Sequence, residues 1–285
     1  MTAPPPLLLY SARRRGRRPW AGEHRSLALG PEGEYARSEP FVGQGDLRRF
    51  DLRAAARDPW ERDWVRRYRQ PALLDVVVLA DVSRSLDFDG TARRRDVLRD
   101  LACALAWSAW RRGDGFGFVA ADERPRAELH LATARRAGRH LELARRLDAF
   151  RPDGRGAAGL VEAARQLGAR PALVFWVSDM HLPPALIDAV LLALAAHEVV
   201  PVVLADPAEF TPPARWGLAS LRDLEGGGER LLLLRPGLAP RLEAARGDWR
   251  HALGRRLARA GRAPVWIDGA FDAARFNRHF LAEAA

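Results

Sequence analysis

The chain has 285 residues, of which 48% are hydrophobic, and a formal charge of +10. This length and composition are sufficient for one sizeable core, or for one domain with a small extension. Its apolar stretches are far shorter than the roughly 20 residues of a membrane-spanning helix, so we expect no transmembrane helix. The first residues place an apolar run before the charges, the reverse of a secretory signal peptide, and we therefore expect a cytoplasmic protein.

The basic residues of the chain are all arginines, 46 in number. A strongly basic protein can bind nucleic acid by displacing counterions from phosphates. Most of these arginines, however, lie beside acids in amphipathic stretches, which is typical of solvated helix faces. The exception is the run formed by Arg13, Arg14, Arg15, Arg17 and Arg18, which is either a solvated arm or a site for an anionic partner. The sequence therefore does not favour nucleic-acid binding, although a binder of nucleic acid or membrane surfaces stays an alternative.

From residue 73 onwards, apolar segments of strand length alternate with segments of helical periodicity. This alternation predicts an α/β fold with a mostly parallel sheet and helices on both faces. Residues 1–72 are rich in Gly, Pro, Arg and Trp and predict a small irregular or β-rich N-terminal extension, which divides the chain into 1–72 and 73–285. The predicted strands are 73–81, 115–122, 172–179, 198–206, 230–234 and 263–268, with a short edge strand in 128–133, and the predicted helices are 93–111, 134–148, 157–168, 183–196, 239–260 and 271–283.

Two of the predicted strands run directly into polar clusters. The first ends in Asp81, Ser83 and Ser85, and a later one ends in Ser178 and Asp179. Functional loops gather at the carboxyl ends of parallel strands, and hard divalent cations prefer oxygen ligands. Mg²⁺ also keeps part of its water shell, which leaves a position for an acidic group of a partner. Asp and Ser are also common loop and helix-capping residues, so a purely structural role stays open.

The DxSxS pattern after a central strand resembles the first motif of the metal-ion-dependent adhesion site of von Willebrand factor A domains. This resemblance implies a von Willebrand A-like fold and a site for Mg²⁺ or another divalent cation. Asp81, Ser83 and Ser85 would form the first loop, and Asp179 would reach the metal directly or through water. The family's middle loop supplies a threonine where this chain has Ala158, which weakens the expectation of a bound metal.

The segment GQGDLRRFDLRAAAR at 43–57 resembles the bacterial family catalogued as domain of unknown function 58. Asp46, Arg48, Asp51 and Arg57 keep the pattern of that family. Alternating Asp and Arg residues can form bidentate ion pairs that hold an extension onto a main domain. The segment therefore has either this structural role or a direct binding role.

Members of that family resemble partners of MoxR-type AAA+ ATPases in the assembly or metal loading of other proteins. The resemblance implies a non-enzymatic adaptor whose partners are a MoxR-type ATPase and a client protein. Elements such as Asp58–Pro59 and Val65–Arg67 are similar to the MxaS-type accessory proteins of methanol oxidation.

An enzyme is the alternative, either a metal-dependent hydrolase or a phosphoryl-transfer enzyme that uses Asp81 and Asp179. The sequence contains no G-x-S-x-G nucleophile elbow and no phosphate-binding P-loop. Ser178, Asp179 and His181 are too close in sequence to converge as a catalytic triad. We therefore expect no catalytic residue in the chain.

Overall fold

A computed structural model describes residues 4–12, 24–30, 34–41, 49–60, 62–212, 214, 216–222 and 228–284. The arginine run that begins at Arg13, together with Asp46 and Arg48, lies outside these residues. The chain forms two compact units. The larger contains Met1–Tyr10, Asp75–Arg111 and Gly115–Ala285, and the smaller contains Ser11–Leu74 and Arg112–Asp114.

The smaller unit contains a three-stranded antiparallel sheet in the order β1-β3-β2 and one short helix, α1. The helix begins after Asp51, whose carboxylate accepts a hydrogen bond from the Ala54 backbone N–H and so satisfies one of the free donors of the first turn. The sheet agrees with the predicted β-rich extension. Its elements are β1 (His24–Gly30), β2 (Glu34–Pro40), α1 (Leu52–Ala55) and β3 (Trp64–Ala72).

The larger unit is built on a six-stranded sheet in the order β11-β8-β7-β4-β5-β6. All neighbouring strands are parallel except the edge strand β6, which runs antiparallel to β5. The predicted α/β class with a mostly parallel sheet is therefore confirmed. The strands are β4 (Asp75–Asp81), β5 (Gly115–Ala121), β6 (Leu131–Ala134), β7 (Leu173–Ser178), β8 (Glu198–Ala205) and β11 (Val265–Asp268).

Helices cover both faces of this sheet because the central strands are apolar on both sides. On β7, Trp176 packs into the core with Leu160, Ile187 and Leu253, while the preceding Phe175 faces the ring of Phe276 on the other side. No helix within the described ranges has the length and apolar composition that a membrane crossing requires. The helices are α2 (Arg94–Arg111), α3 (Arg139–Ala149), α4 (Leu160–Arg165), α5 (Pro184–Ala193), α6 (Leu238–Leu257) and α7 (Ala273–Ala284).

Two parts of the larger unit differ from the sequence expectation. Leu8 and Tyr10, near the N-terminus, are buried, and Tyr10 packs edge-on against Phe175. The predicted strand at 230–234 forms, but it does not extend the central sheet. It is β10 (Glu229–Leu234), and within the described residues it pairs with β9 (Gly217–Arg222) in a separate antiparallel sheet. The glycine run at 226–228 indicates a hairpin or loose turn before β10, but β9 itself was not predicted.

Candidate functional site

An aspartate stands at the carboxyl end of each of the five parallel strands of the central sheet. Asp81 ends β4 and Asp268 ends β11, while Asp122, Asp179 and Asp206 directly follow β5, β7 and β8. Because the strands are parallel, these carboxylates lie along one edge of the sheet. Asp81 and Asp179 were predicted from the sequence as residues of this edge, whereas Asp122, Asp206 and Asp268 were not.

Four of these five carboxylates have neutralising contacts. Arginine side chains pair with three of them, and Asp206 instead accepts hydrogen bonds from backbone N–H groups and a hydroxyl. Within the described residues, Asp81 and Asp206 have no cation, and Asp81 accepts two hydrogen bonds where Asp206 accepts four. The neutralising partners are Arg126 for Asp122, Arg94 for Asp179, Arg250 for Asp268, and Thr91, Ala92 and Ala208 for Asp206.

Asp81 makes its contacts with serines. Its Oδ1 accepts a hydrogen bond from the Ser83 backbone N–H at 3.0 Å, a local turn that Asp forms readily, and its Oδ2 accepts one from the Ser178 hydroxyl at 2.8 Å. The Ser83 and Ser85 hydroxyl oxygens are 3.1 Å apart. Asp81 and Ser83 are buried, whereas Ser85 is half-buried. The structure thus places the three DxSxS side chains in one cluster that is partly accessible at Ser85.

Burial makes the ionised form of Asp81 unfavourable. Loss of hydration, and after it the negative charge of Asp179, raise the pKa of Asp81 to about 7 from an ordinary value of 3.8. The hydrogen bonds from Ser83 and Ser178 oppose this shift without overcoming it. At neutral pH the site therefore favours a proton or a cation beside Asp81.

Arg94 is a functional-site residue that the sequence analysis missed. Its guanidinium donates hydrogen bonds to Asp179 Oδ2 and to the Ser85 carbonyl oxygen, both at 2.9 Å, and it also pairs with Glu209. The side chain of Arg94 is only 7% exposed. In the sequence it resembles the many arginines of solvated helix faces, and only its position at the start of α2, just after the DxSxS loop, could have singled it out.

His181 contacts Glu209, the second acidic partner of Arg94. Its Nε2 lies 2.7 Å from Glu209 Oε2, and its ring stacks on Trp249 with the centroids 4.8 Å apart. Burial alone would lower the pKa of His181, but the hydrogen bond to Glu209 and the charge of Asp179 raise it overall. His181 therefore helps to hold Glu209 and does not contact the Ser178 hydroxyl, which is donated to Asp81.

The loop at 154–159, which corresponds to the middle loop of the von Willebrand A pattern, contacts the DxSxS loop through backbone atoms. The Gly154 carbonyl accepts a hydrogen bond from the Arg84 backbone N–H at 2.9 Å. At Gly159, an added Cβ would lie 2.5 Å from the Arg124 backbone, so only glycine permits this approach. Ala158, between these contacts, is exposed and has no hydroxyl to offer.

The residues fit a divalent cation in part. The buried carboxylate of Asp81, with no cation of its own, and two neighbouring hydroxyl oxygens are donors that Mg²⁺ accepts. Asp179, the fourth expected ligand, is in contact with Arg94 through Oδ2. The described residues contain no group of three or more His, Cys, Asp or Glu side chains arranged around a metal position.

The family segment lies in the smaller unit, as far as it is described. Asp51 caps α1, accepts a hydrogen bond from the Ser38 hydroxyl at 2.5 Å, and lies 3.6 Å from Arg66. Arg57 is exposed. The ion pair of Asp51 is therefore made within this unit.

The parallel sheet and the Asp81 cluster together define an α/β domain with an acidic and hydroxyl site at its strand ends. The family model described as "Protein of unknown function DUF58" matches residues 40–246, and the chain belongs to this family. A relative from Paracoccus denitrificans, described as an uncharacterized protein in the moxR 3' region, is 38% identical over 104 residues. That match covers 36% of this chain and 99% of the relative.

Solved structures with a similar arrangement are distant in sequence. The conserved hypothetical protein BatB from Bacteroides thetaiotaomicron is 15% identical, with a TM-score of 0.46, and the match covers 74% of this chain and 98% of that one. Proximal thread matrix protein 1 from the mussel byssus, in a form with a zinc-occupied MIDAS motif, is 14% identical, with a TM-score of 0.35 and coverages of 47% and 38%. Likenesses this distant carry no inference about the function of this chain.

We expect Asp81 to make stability depend on pH in metal-free buffer. The pKa of Asp81 is raised from 3.8 to about 7 in the folded state, so folding favours its protonated form. The stability that this protonated carboxyl provides is fully present below about pH 4 and is lost as the pH rises to about 7. In Asp81→Asn, the free energy of unfolding should fall between about pH 4 and about pH 7 by at least about 1 kcal/mol less than in the wild type. Urea unfolding in EDTA across this pH range measures the difference. The exposed Asp248→Asn serves as the control, and parallel pH profiles for the wild type and Asp81→Asn would refute the assignment.

Removal of the Arg94 guanidinium should strongly destabilise the larger unit. Arg94→Met leaves the buried Asp179 without a cation and removes one of the two side-chain partners of Glu209, at a cost of about 3–5 kcal/mol. Arg93→Met, at the adjacent position, breaks an exposed ion pair with Asp89 and should cost less than about 1 kcal/mol. Equal losses in denaturant unfolding of the two variants would contradict a structural role for the Arg94 pair.

Proposed function

We propose that this protein is an adaptor that binds a partner protein through the strand-end site around Asp81. Asp81, Ser83 and Ser85 would hold Mg²⁺ or another divalent cation, which supplies positive charge and an open coordination position for a partner's carboxylate. Asp179 adds negative charge, and Arg94 fixes its orientation. The half-buried Ser85 is the member of the cluster through which a partner approaches.

The observation that carries this proposal is the state of Asp81. A buried carboxylate is normally paired with a cation or accepts several hydrogen bonds. Three of the other strand-end aspartates have an arginine, and Asp206 accepts four hydrogen bonds, whereas Asp81 accepts two. Asp81 instead has a raised pKa and no cation among the described residues. A site built for a cation from outside the chain accounts for this difference.

The proposed partner is a MoxR-type AAA+ ATPase, and the complex would act in the assembly, maturation or metal loading of a client protein. The support for this partner is the Paracoccus denitrificans relative, which is described by its place in the moxR 3' region. A methanol dehydrogenase system is the client that the similarity to MxaS-type proteins favours. We further propose that the adaptor works in the cytoplasm.

The enzymatic alternative has less support from the same geometry. Ser178 is 1% exposed, its hydroxyl is donated to Asp81, and Asp179 contacts Arg94. A metal-dependent hydrolase or phosphoryl-transfer enzyme would need Asp81 and Asp179 to reach a substrate together. Their contacts favour a binding role.

Loss of the Asp81 charge should abolish metal-dependent association. We expect the wild-type protein to retain a MoxR-type ATPase of the same organism in a pull-down with Mg²⁺. In EDTA its affinity for the ATPase should fall at least about tenfold, because the loss of one charged contact of about 1.4 kcal/mol gives that factor. Asp81→Asn should show the same loss in Mg²⁺. Asp248→Asn, which removes an exposed carboxylate elsewhere, should bind normally. Retention unaffected by both EDTA and Asp81→Asn would refute the metal-bridge mechanism.

Restoring a hydroxyl to the middle loop should strengthen metal binding. Ala158→Thr introduces the oxygen that the von Willebrand A pattern expects there, and we expect Mg²⁺ affinity to rise about tenfold by titration calorimetry. Ala158→Val has nearly the same shape without the oxygen and is the matched control. Identical affinities of the two variants would contradict a cation site at this loop.

A further inference from the structure

The smaller unit contains a pocket of its own, of about 470 Å³, between its sheet and α1. This volume lies in the range of ordinary ligand sites. Among the described residues, three arginines and one aspartate supply the charges around it. The lining residues are Tyr35, Ser38, Asp51, Arg53, Ala54, Arg57, Trp64, Arg66 and Tyr68.

The single carboxylate of the pocket is already engaged. Asp51 accepts hydrogen bonds from the Ala54 backbone and the Ser38 hydroxyl, and Arg66 lies 3.6 Å away. These contacts lower the pKa of Asp51, the Ser38 hydroxyl having the largest effect. Asp51 therefore has little capacity left to neutralise the other two arginines, Arg53 and Arg57.

Arg53 and Arg57 have no acidic partner among the described residues, and both are exposed. Arg53 lies in α1, Arg57 lies in the turn that follows it, and both line the same pocket, so their like charges repel each other. No residue of α1 is buried and Arg57 is exposed as well, so packing of a core does not explain these two arginines. A bound anion would relieve the repulsion.

The pocket also offers aromatic surface beside these charges. Tyr35 is 55% exposed, and its ring meets that of Tyr68 edge-on with the centroids 6.3 Å apart. Exposed aromatic rings next to guanidinium groups are typical of surfaces that recognise protein segments. A simple inorganic anion would leave this aromatic surface unused.

We propose that this pocket binds an acidic peptide segment of a partner protein. Carboxylates of the segment contact Arg53 and Arg57, and a neighbouring apolar side chain packs against Tyr35. Guanidinium groups suit this role because they bind carboxylates in a bidentate geometry. The pocket lies wholly within the smaller unit, so the proposal does not depend on the strand-end site or on a metal.

The test uses the full-length protein and a short fluorescein-labelled peptide in which glutamates alternate with leucines. Fluorescence anisotropy at low ionic strength, in EDTA, should show saturable binding to the wild type. Binding should weaken at least about tenfold in the double variant Arg53→Gln, Arg57→Gln, because both charged contacts with the peptide carboxylates are lost. Tyr35→Ala, which retains both arginines, should also weaken binding of the peptide.

The matched control is the double variant Arg145→Gln, Arg241→Gln, which lowers the net charge equally at exposed arginines of the larger unit. It should bind the peptide as the wild type does, and so should Asp81→Asn. Equal weakening in both double variants, or equal binding of a peptide with glutamine in place of glutamate, would overturn the proposal. Preferential binding of a single-stranded oligonucleotide at Arg53 and Arg57 would overturn it as well. Circular dichroism establishes that each variant is folded.

Discussion

The larger unit depends on the neutralisation of negative charge at the carboxyl ends of its parallel strands. Five aspartates lie along one edge of an otherwise apolar sheet, and a buried carboxylate without a partner is costly. The chain meets this constraint with arginines at three positions and with donors of hydrogen bonds at a fourth. Asp81 differs from the other four because it has no cation among the described residues, accepts two hydrogen bonds and has a pKa raised to about 7. It marks the position where the fold accepts an unfavourable charge, which is the usual property of a functional site.

Arg94 connects this electrostatic constraint to the packing of the fold. It stands at the start of α2, and its guanidinium joins the DxSxS loop, the strand end at Asp179 and the turn that carries Glu209. Three segments that are far apart in sequence therefore share one buried cation. The same contact limits what Asp179 can do, since its Oδ2 is already an acceptor for Arg94. The candidate cation position is consequently centred on Asp81, Ser83 and Ser85 rather than spread evenly over the two strand ends.

The sequence was sufficient for the elements of the central sheet and for two of the five aspartates at its functional edge. Hydrophobic periodicity reports burial along one segment, so β4, β7 and β8 were predicted within a few residues of their bounds. Asp81, Ser83 and Ser85 form one local turn, and local spacing therefore predicted their cluster. The pairing of Arg94 with Glu209 joins residues 115 positions apart, and no local pattern distinguishes it from a surface arginine. Strand pairing is non-local in the same way, which is why β10 was predicted as a strand while its antiparallel partner β9 was not.

The two units place their charges according to different physical requirements. In the larger unit, arginines are buried against carboxylates, and their removal would leave the carboxylates unpaired. In the smaller unit, Arg53 and Arg57 are exposed and contribute to no buried contact within the described residues. Arginine content alone, the basis for considering nucleic acid, treats these two groups as equal. The contacts separate them, because an arginine that neutralises the chain's own acids adds little to binding, whereas one without an acid can bind an acid from another protein. The strongly basic composition is thus compatible with a protein whose partners are acidic proteins.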